Sequence, residues 1–440
     1  MRMQWTVGLI ILVVVTGASV WAQSPPAPLT LEESIKIALE RNLRLRSAME
    51  GTTGSKLRQK QAVTNFLPTW TGQYLYTQYN TPTTVGFSPQ YSRTGEIINT
   101  DKGVFNLSTT VQQPIFAGGS ITANYRLEKQ GVEISKMDVE TVKREIVVAV
   151  REGYFNILRA EKFVDVAKQA VKQFEAQLEV SKAFFEVGII PKNDLLQSEV
   201  RLANARQGLV KAENDLALAK SSFNILLRRD INEPLNVVDI LAYRPSTIQL
   251  EESISEALRQ RPEIAGAELR VSQAKEGVKI AQSGFFPNVG FSWNYTRASD
   301  EFDLMGDLRG ERWTAQVLAA LTIFDWGRTA YKVGESKVKV TQAEDSKMQL
   351  VEGIILEVKQ DYLGMVTAER NIEVAEKAIE QAEENVRMNE ERYKYQVATA
   401  TDVLDAVTLL AQARVNYYSA LSDFNIAKAR LDRAMGRMYP

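Results

Sequence analysis

From Leu195 to Leu226, apolar and small residues recur in alternating steps of three and four: Leu195, Ser198, Leu202, Ala205, Leu209, Ala212, Leu216, Ala219, Phe223 and Leu226. A period of 3.5 held this long predicts a coiled-coil seam, because the stripe of an ordinary amphipathic helix drifts toward 3.6. The same steps return from Val403 through Ala406, Leu410, Ala413, Tyr417, Ala420, Phe424, Ala427 and Leu431 to Ala434. Before each seam lies a proline-free run, Ser120 to about Val187 and Arg328 to about Val397. At ~1.5 Å per residue each run predicts a helix on the order of 100 Å long. The first run carries apolar residues on two flanks, Ile146, Val150, Ile157 and Val164 on one and Val147, Tyr154, Leu158 and Phe163 on the other. Such a helix touches neighbours on both sides, as in a curved wall.

Four shorter stretches alternate with period two instead, predicting strands near 69–79, 103–113, 288–297 and 312–323. Trp70, Gly72, Tyr74 and Tyr76 oppose Thr71, Gln73, Leu75 and Thr77; Val289, Phe291, Trp293 and Tyr295 oppose Gly290, Ser292, Asn294 and Thr296. The stretches are long enough to cross a bilayer as tilted strands, for which ~9–11 residues suffice. Trp70, Trp293 and Trp313 near strand ends, with Phe66, Phe116, Phe285 and Phe286 outside them, suit an interfacial aromatic girdle. A soluble sheet on a core would show the same alternation. Four strands cannot close a membrane barrel, which takes about eight, and open edges in lipid leave backbone groups unsatisfied. If these strands meet lipid, several chains must pool them, and three chains supply twelve.

The chain repeats itself. "LTLEESIKIAL" from Leu29 superposes on "IQLEESISEAL" from Ile248, and the same offset places Pro68 on Pro287 and Tyr76 on Tyr295. Further on, "QPIFAGG" (Gln113–Gly119) meets "LTIFDWG" (Leu321–Gly327) and Asp194 meets Asp402. The offset shortens because the first copy carries extra residues between Thr77 and about Gly103, a stretch with Pro82, Gly86, Pro89 and Gly95 that reads as a long loop. The expected layout is a first repeat over 23–227 with a helical hairpin at 120–227, a linker at 228–247, and a second repeat over 248–440 with a hairpin at 328–436.

Residues 1–22 read as a signal peptide: Arg2 supplies the positive start, Val7–Val15 the apolar run, and Ala22 the small residue before a cut at Gln23. Net charge is −1, so no positive field recruits nucleic acid. Neither cysteine nor histidine occurs, which excludes thiolate or imidazole metal sites, Cys nucleophiles and the usual general base. No GxxxxGK or GxSxG motif is present, so neither an enzyme nor a cofactor is expected.

The segments "LTLEESIKIALERN", "FLPTW", "QPIFAGG", "FFEVGIIPKNDLLQ" and "RYKYQVATATDVLDA" together resemble the TolC-type outer-membrane efflux proteins, in order and in both halves. The resemblance implies a mainly α chain with membrane β strands. It also implies a homotrimer whose 12-stranded β-barrel in the outer membrane continues as a 12-helix coiled-coil α-barrel through the periplasm. It implies a passive export duct of a tripartite efflux or type I secretion system, docked to a periplasmic adaptor and an inner-membrane transporter.

It further implies roles at the inner end. Adaptor-docking turns fall on Val187, Gly188 and Ile189 and on Gln396, Val397 and Ala398; Phe184 stands where the family has Tyr, Gln396 where it has Gly, and Ala398 where it has a linking Arg. A periplasmic gate falls on Asp402 and Asp405, with Tyr393 and Asp194 as hydrogen-bonding partners. Asp402 and Asp405 share a helix face, so a trimer gathers six carboxylates that favour cations and raise one another's pKa values. Asp194 and Asp402 also suit helix N-caps. A soluble periplasmic coiled-coil adaptor or scaffold is the alternative, though it would need one hairpin and compact β domains rather than two hairpins beside membrane-length strands. A passive porin would need more strands and no such helices.

Overall fold

Pro68 and Pro287 each close a helical stretch and open a strand, because proline lacks the N–H that would continue the helix. The computed structural model describes residues 28–80, 84–86, 97–99, 103–245, 247–299, 301–302 and 311–438. The expected signal peptide lies outside them. The first half runs α1 (Leu31–Arg41), α2 (Leu43–Thr64), β1 (Thr69–Gln78), β2 (Thr84–Gly86), β3 (Ile97–Asn99), β4 (Gly103–Ala117), α3 (Ser120–Glu186) and α4 (Lys192–Leu226). The second runs α5 (Leu250–Gln260), α6 (Pro262–Gln282), β5 (Asn288–Ser299), β6 (Glu311–Ala320), α7 (Arg328–Lys394) and α8 (Ala400–Ala434). The order is the same in both halves, apart from the β2–β3 hairpin set in the first half's longer loop.

The main sheet is antiparallel with order β1-β4-β5-β6, so the two halves meet along β4 and β5. Register decides what the alternation means. Trp70, Val111, Trp293 and Ala315 lie abreast, as do Gly72, Thr109, Tyr295 and Trp313, so all four greasy faces fall on one side. Thr71, Thr110, Asn294 and Thr314 form one polar rank on the other side, tied by a 2.8 Å bond from Asn294 Nδ2 to Thr110 Oγ1. The greasy side is open: Trp70 is 79% and Trp313 67% exposed.

The helices make a wall four wide at two levels. Toward the sheet, α2 packs on α3, α3 on α6 and α6 on α7; farther away, α4 packs on α3, α3 on α8 and α8 on α7. α3 and α7, 67 residues each, run through both levels. The expected seams hold: Ser198, Leu202 and Phe223 are buried in α4, as are Val403, Ala406, Leu410, Ala413, Ala420, Phe424, Leu431 and Ala434 in α8. Both flanks of α3 are covered, with Ile146, Val150, Tyr154 and Leu158 buried together. Between the levels, the linker after α4 straps one face of the wall: Tyr154 Oη lies 2.7 Å from the Val238 carbonyl, Lys162 pairs with Asp239 at 2.5 Å, and Asn425 donates to the Ala242 carbonyl. No helix among the described residues is long and apolar enough to cross a membrane.

Candidate functional site: the hairpin tips

Both long hairpins turn at the end farthest from the sheet, and both close with the same pattern. In the first, Ile189 N–H donates to the Phe184 carbonyl and Gly188 N–H to the Phe185 carbonyl; in the second, Val397 donates to Arg392 and Gln396 to Tyr393. This is the Schellman ending, which requires a left-handed residue just past the helix. Gly188 adopts it at φ 77° and Gln396 at φ 61°. The missing glycine therefore leaves the turn geometry intact. Val187, Ile189 and Val397 project outward, 69%, 44% and 63% exposed, while Ala398 is half-buried.

Neither aspartate expected at a helix start is the N-cap. Pro191 caps α4, and Asp194 sits in its first turn, its backbone carbonyl accepting from Ser198 Oγ at 3.1 Å. Thr399 caps α8: its hydroxyl accepts from the Asp402 N–H, and Asp402 Oδ2 accepts from the Thr399 N–H at 2.7 Å and hydroxyl at 2.8 Å. This reciprocal box satisfies N–H groups that no helical carbonyl reaches. Within the single chain the Asp402 carboxyl is held below the usual carboxylate range, first by the Thr399 N–H and then by its hydroxyl.

Asp405, one turn on, accepts from Arg201 of α4 at 2.8 Å, and beside it Thr401 donates to Gln197 Oε1 at 2.7 Å. Two rungs thus tie α4 to α8 where the sequence offered none. Both pairs are 204 residues apart, one helical turn short of the offset between the copies, and that spacing was the signal available beforehand. Tyr393 is buried, its hydroxyl 3.4 Å from Ser181 Oγ, itself 3.1 Å from Ser198 Oγ, and its ring packs on Phe184 at 5.3 Å. Tyr393 is therefore joined to the first hairpin through serines, and to the Asp194 backbone rather than its carboxylate.

A two-faced sheet carrying two long hairpins is matched over nearly the whole chain by a family of known membrane proteins. The Outer membrane efflux protein family fits residues 35–224 and 253–437. The chain belongs to this family. Its relatives include the outer membrane protein TolC of Vibrio cholerae, 22% identical over 67% of this chain and 68% of the relative. They also include the cobalt-zinc-cadmium resistance protein CzcC of Cupriavidus metallidurans, 21% identical over 96% of this chain and 94% of the relative. The fold is that of the CmeC outer membrane channel of Campylobacter jejuni, with a TM-score of 0.78 at 18% identity over 99% of this chain and 94% of that one.

This protein is an outer-membrane efflux channel extending into the periplasm. The tips carry hydroxyls, amides and a single inter-hairpin ion pair: groups that position helices and attract ions.

Proposed function

We propose that three copies of this chain, each built from two copies of one unit, assemble head to tail into a passive export duct. The observation that carries this reading is the open sheet: four strands with one apolar and one polar face, and with β1 and β6 left as edges without a partner strand among the described residues. In hydrocarbon each exposed peptide group would cost several kcal/mol, and joining β6 of one copy to β1 of the next in a ring of three closes the barrel at twelve strands. The helical wall asks for the same closure. Val338, Leu356 and Val374 on α7 and Val200, Val210 and Leu218 on α4 are exposed among the described residues. Four helices at each level, taken three times, give a twelve-helix tube.

The greasy ranks then meet lipid and the threonine and asparagine ranks meet a water-filled lumen. Asp402 and Asp405 form the gate at the inner mouth, while Val187, Gly188, Ile189, Gln396, Val397 and Ala398 form the docking turns for a periplasmic adaptor that links the duct to an inner-membrane transporter. The energy for export comes from that transporter. The relatives named for efflux and for metal resistance support the reading.

Fractionation and planar-bilayer recording test it. The expected result is a detergent-extracted, heat-stable trimer in outer membranes that conducts ions. A monodisperse, detergent-free monomer in the periplasmic extract overturns it, and so does a barrel that closes from one chain.

A further inference from the structure

The last strand of the first half stays paired to its end, and its counterpart in the second half does not. β4 runs on through Phe116 and Ala117, which lie opposite Val289 and Asn288 of β5 beyond a bulge at Pro114. β6 stops at Ala320, and the equivalent Leu321–Trp326 segment belongs to no strand among the described residues. Ile115 and Phe116 are 59% and 43% exposed; Ile323 and Phe324, in the same places of the repeat, are 94% and 70% exposed. The difference measures the cover that β5 gives to the first pair.

The repeat itself points to the missing neighbour. β4 and β5 join the first half to the second, so the same operation applied once more carries β6 onto β1 of another copy. Moving Gln113 to Leu321 and Tyr295 to Tyr76 converts the observed β4–β5 register into a β6–β1 register. Thr109 opposite Tyr295 becomes Val317 opposite Tyr76, Val111 opposite Trp293 becomes Ala319 opposite Tyr74, and Phe116 opposite Val289 becomes Phe324 opposite Trp70. The pairing of β6 with β5 puts Val317 and Ala319 on the greasy side, and the pairing of β1 with β4 puts Tyr74 and Tyr76 there. The converted register therefore sets greasy face beside greasy face, and small residues opposite tyrosines.

One position breaks the likeness. Trp326 stands where the first half has Gly118, and the two share a left-handed backbone, φ 58° and 59°. A Cβ at Gly118 would meet the Ser283 carbonyl oxygen at 2.5 Å, closer than such atoms approach. Trp326 carries that Cβ and an indole besides, 85% exposed and edge-on to Phe324 at 4.9 Å. So bulky a residue is strained there. Asp325, in the place of Ala117, holds the turn by accepting from the Gly327 and Thr329 N–H groups at 3.1 and 2.9 Å.

Building on the duct reading above, we propose that Leu321–Trp326 is a docking edge for a second copy of this chain, lengthening β6 along β1 of that copy in the register just given, with Trp326 as a wedge. Ser283 corresponds to Thr64, the last residue of α2, so Trp326 meets the end of α2 in the next copy. The junction between copies then stands wider at this point than the junction within one. Three tight and three wedged junctions alternate around the ring, which makes it three-fold and not six-fold.

Engineered cysteine pairs test this cleanly, because the chain has no cysteine of its own. Within one copy β1 and β6 are three strand spacings apart, roughly 14 Å, beyond the ~7 Å that a disulfide spans between Cα atoms. Any bond between them joins two copies. Val317→Cys/Tyr76→Cys on the greasy face and Leu318→Cys/Leu75→Cys on the polar face should each give a covalent, reductant-sensitive trimer of the full chain in oxidised outer membranes. Val317→Cys/Tyr74→Cys, displaced by two residues, should not. Trp326→Glu should lower the temperature at which the trimer dissociates, and Trp326→Phe should hold it. A displaced pair that bonds better than the matched ones, or a trimer in which neither matched pair bonds, overturns the docking edge while the duct stands. Equal dissociation temperatures in the parent and both Trp326 variants overturn the wedge. A parent protein that forms no trimer defeats the duct reading, and the docking edge with it.

Discussion

Arg201 of α4 and Asp405 of α8 stand 2.8 Å apart, joining two hairpins that are far apart along the chain. The pair is partly exposed, 42% and 55%, so its contribution to stability is small, about 0–1 kcal/mol. Its effect on position is larger, because beyond it the two hairpin ends are joined only by the Thr401–Gln197 bond and the packing of Tyr393 against Ser181 and Phe184. Arg201→Gln is expected to raise single-channel conductance or open probability, and to free Asp405 so that cation preference increases. Exchanging the charges, Arg201→Asp with Asp405→Arg, should return conductance toward the parent value. Equal conductance in all three proteins would show that this pair does not hold the mouth.

The second turn is strained where the first is not. Gln396 occupies a left-handed conformation that disfavours a side chain by roughly 1 kcal/mol. Gln396→Gly should therefore leave the turn unchanged and stabilise the protein by about 0.5–1 kcal/mol. Gly188→Gln should destabilise by a similar amount. Denaturant midpoints of the two variants moving in opposite directions are the result to look for.

Thr399 starts α8 and restrains Asp402 at the same time. Thr399→Ala removes the hydroxyl's bonds to the Asp402 N–H and carboxylate, leaving only the backbone N–H arm, and is expected to destabilise the tip by about 1 kcal/mol. Amide exchange should report it as faster opening of the first turn of α8. The folded-state pKa of Asp402 is lowered, so its cap is fully present above the ordinary carboxylate pKa and is lost as pH falls through the lowered value. Exchange at this turn should be insensitive to pH beyond the intrinsic rate near neutrality, and should accelerate only in acid.

Above the tips, Glu357 of α7 accepts from both Arg261 at the head of α6 and Arg433 of α8. The Arg261 side chain is 5% exposed and keeps a second partner in Glu263 at 2.8 Å. Glu357→Gln leaves a buried guanidinium short of one charge and is expected to cost about 2–3 kcal/mol. A thermal unfolding midpoint that does not fall would contradict this.

How much of this could be read beforehand follows from which interactions are local. The heptads of α4 and α8, the paired prolines before β1 and β5, and the period-two faces are each set by neighbours a few residues away, so the kind and order of the elements follow from the chain alone, while ends such as that of β4 at Ala117 or β6 at Ala320 do not. The hairpin tips were only half legible. Asp402 and Asp405 could be singled out by position, but the partners that hold them, Thr399 and Arg201, could not. Thr399 as the cap needed the exact helix start, and Arg201 needed the register between helices that never adjoin in sequence.

By itself the sequence determined what each segment is: two seams, two very long helices and four strands with one greasy face apiece, since propensity and periodicity act over single turns and alternate residues. Tertiary structure alone decided that the four greasy faces share one side, that β4 pairs with β5 across the halves, and that Asp405 meets Arg201. Those outcomes depend on lateral register, and a shift of one residue in a strand or one turn in a helix would reverse them without changing any local pattern.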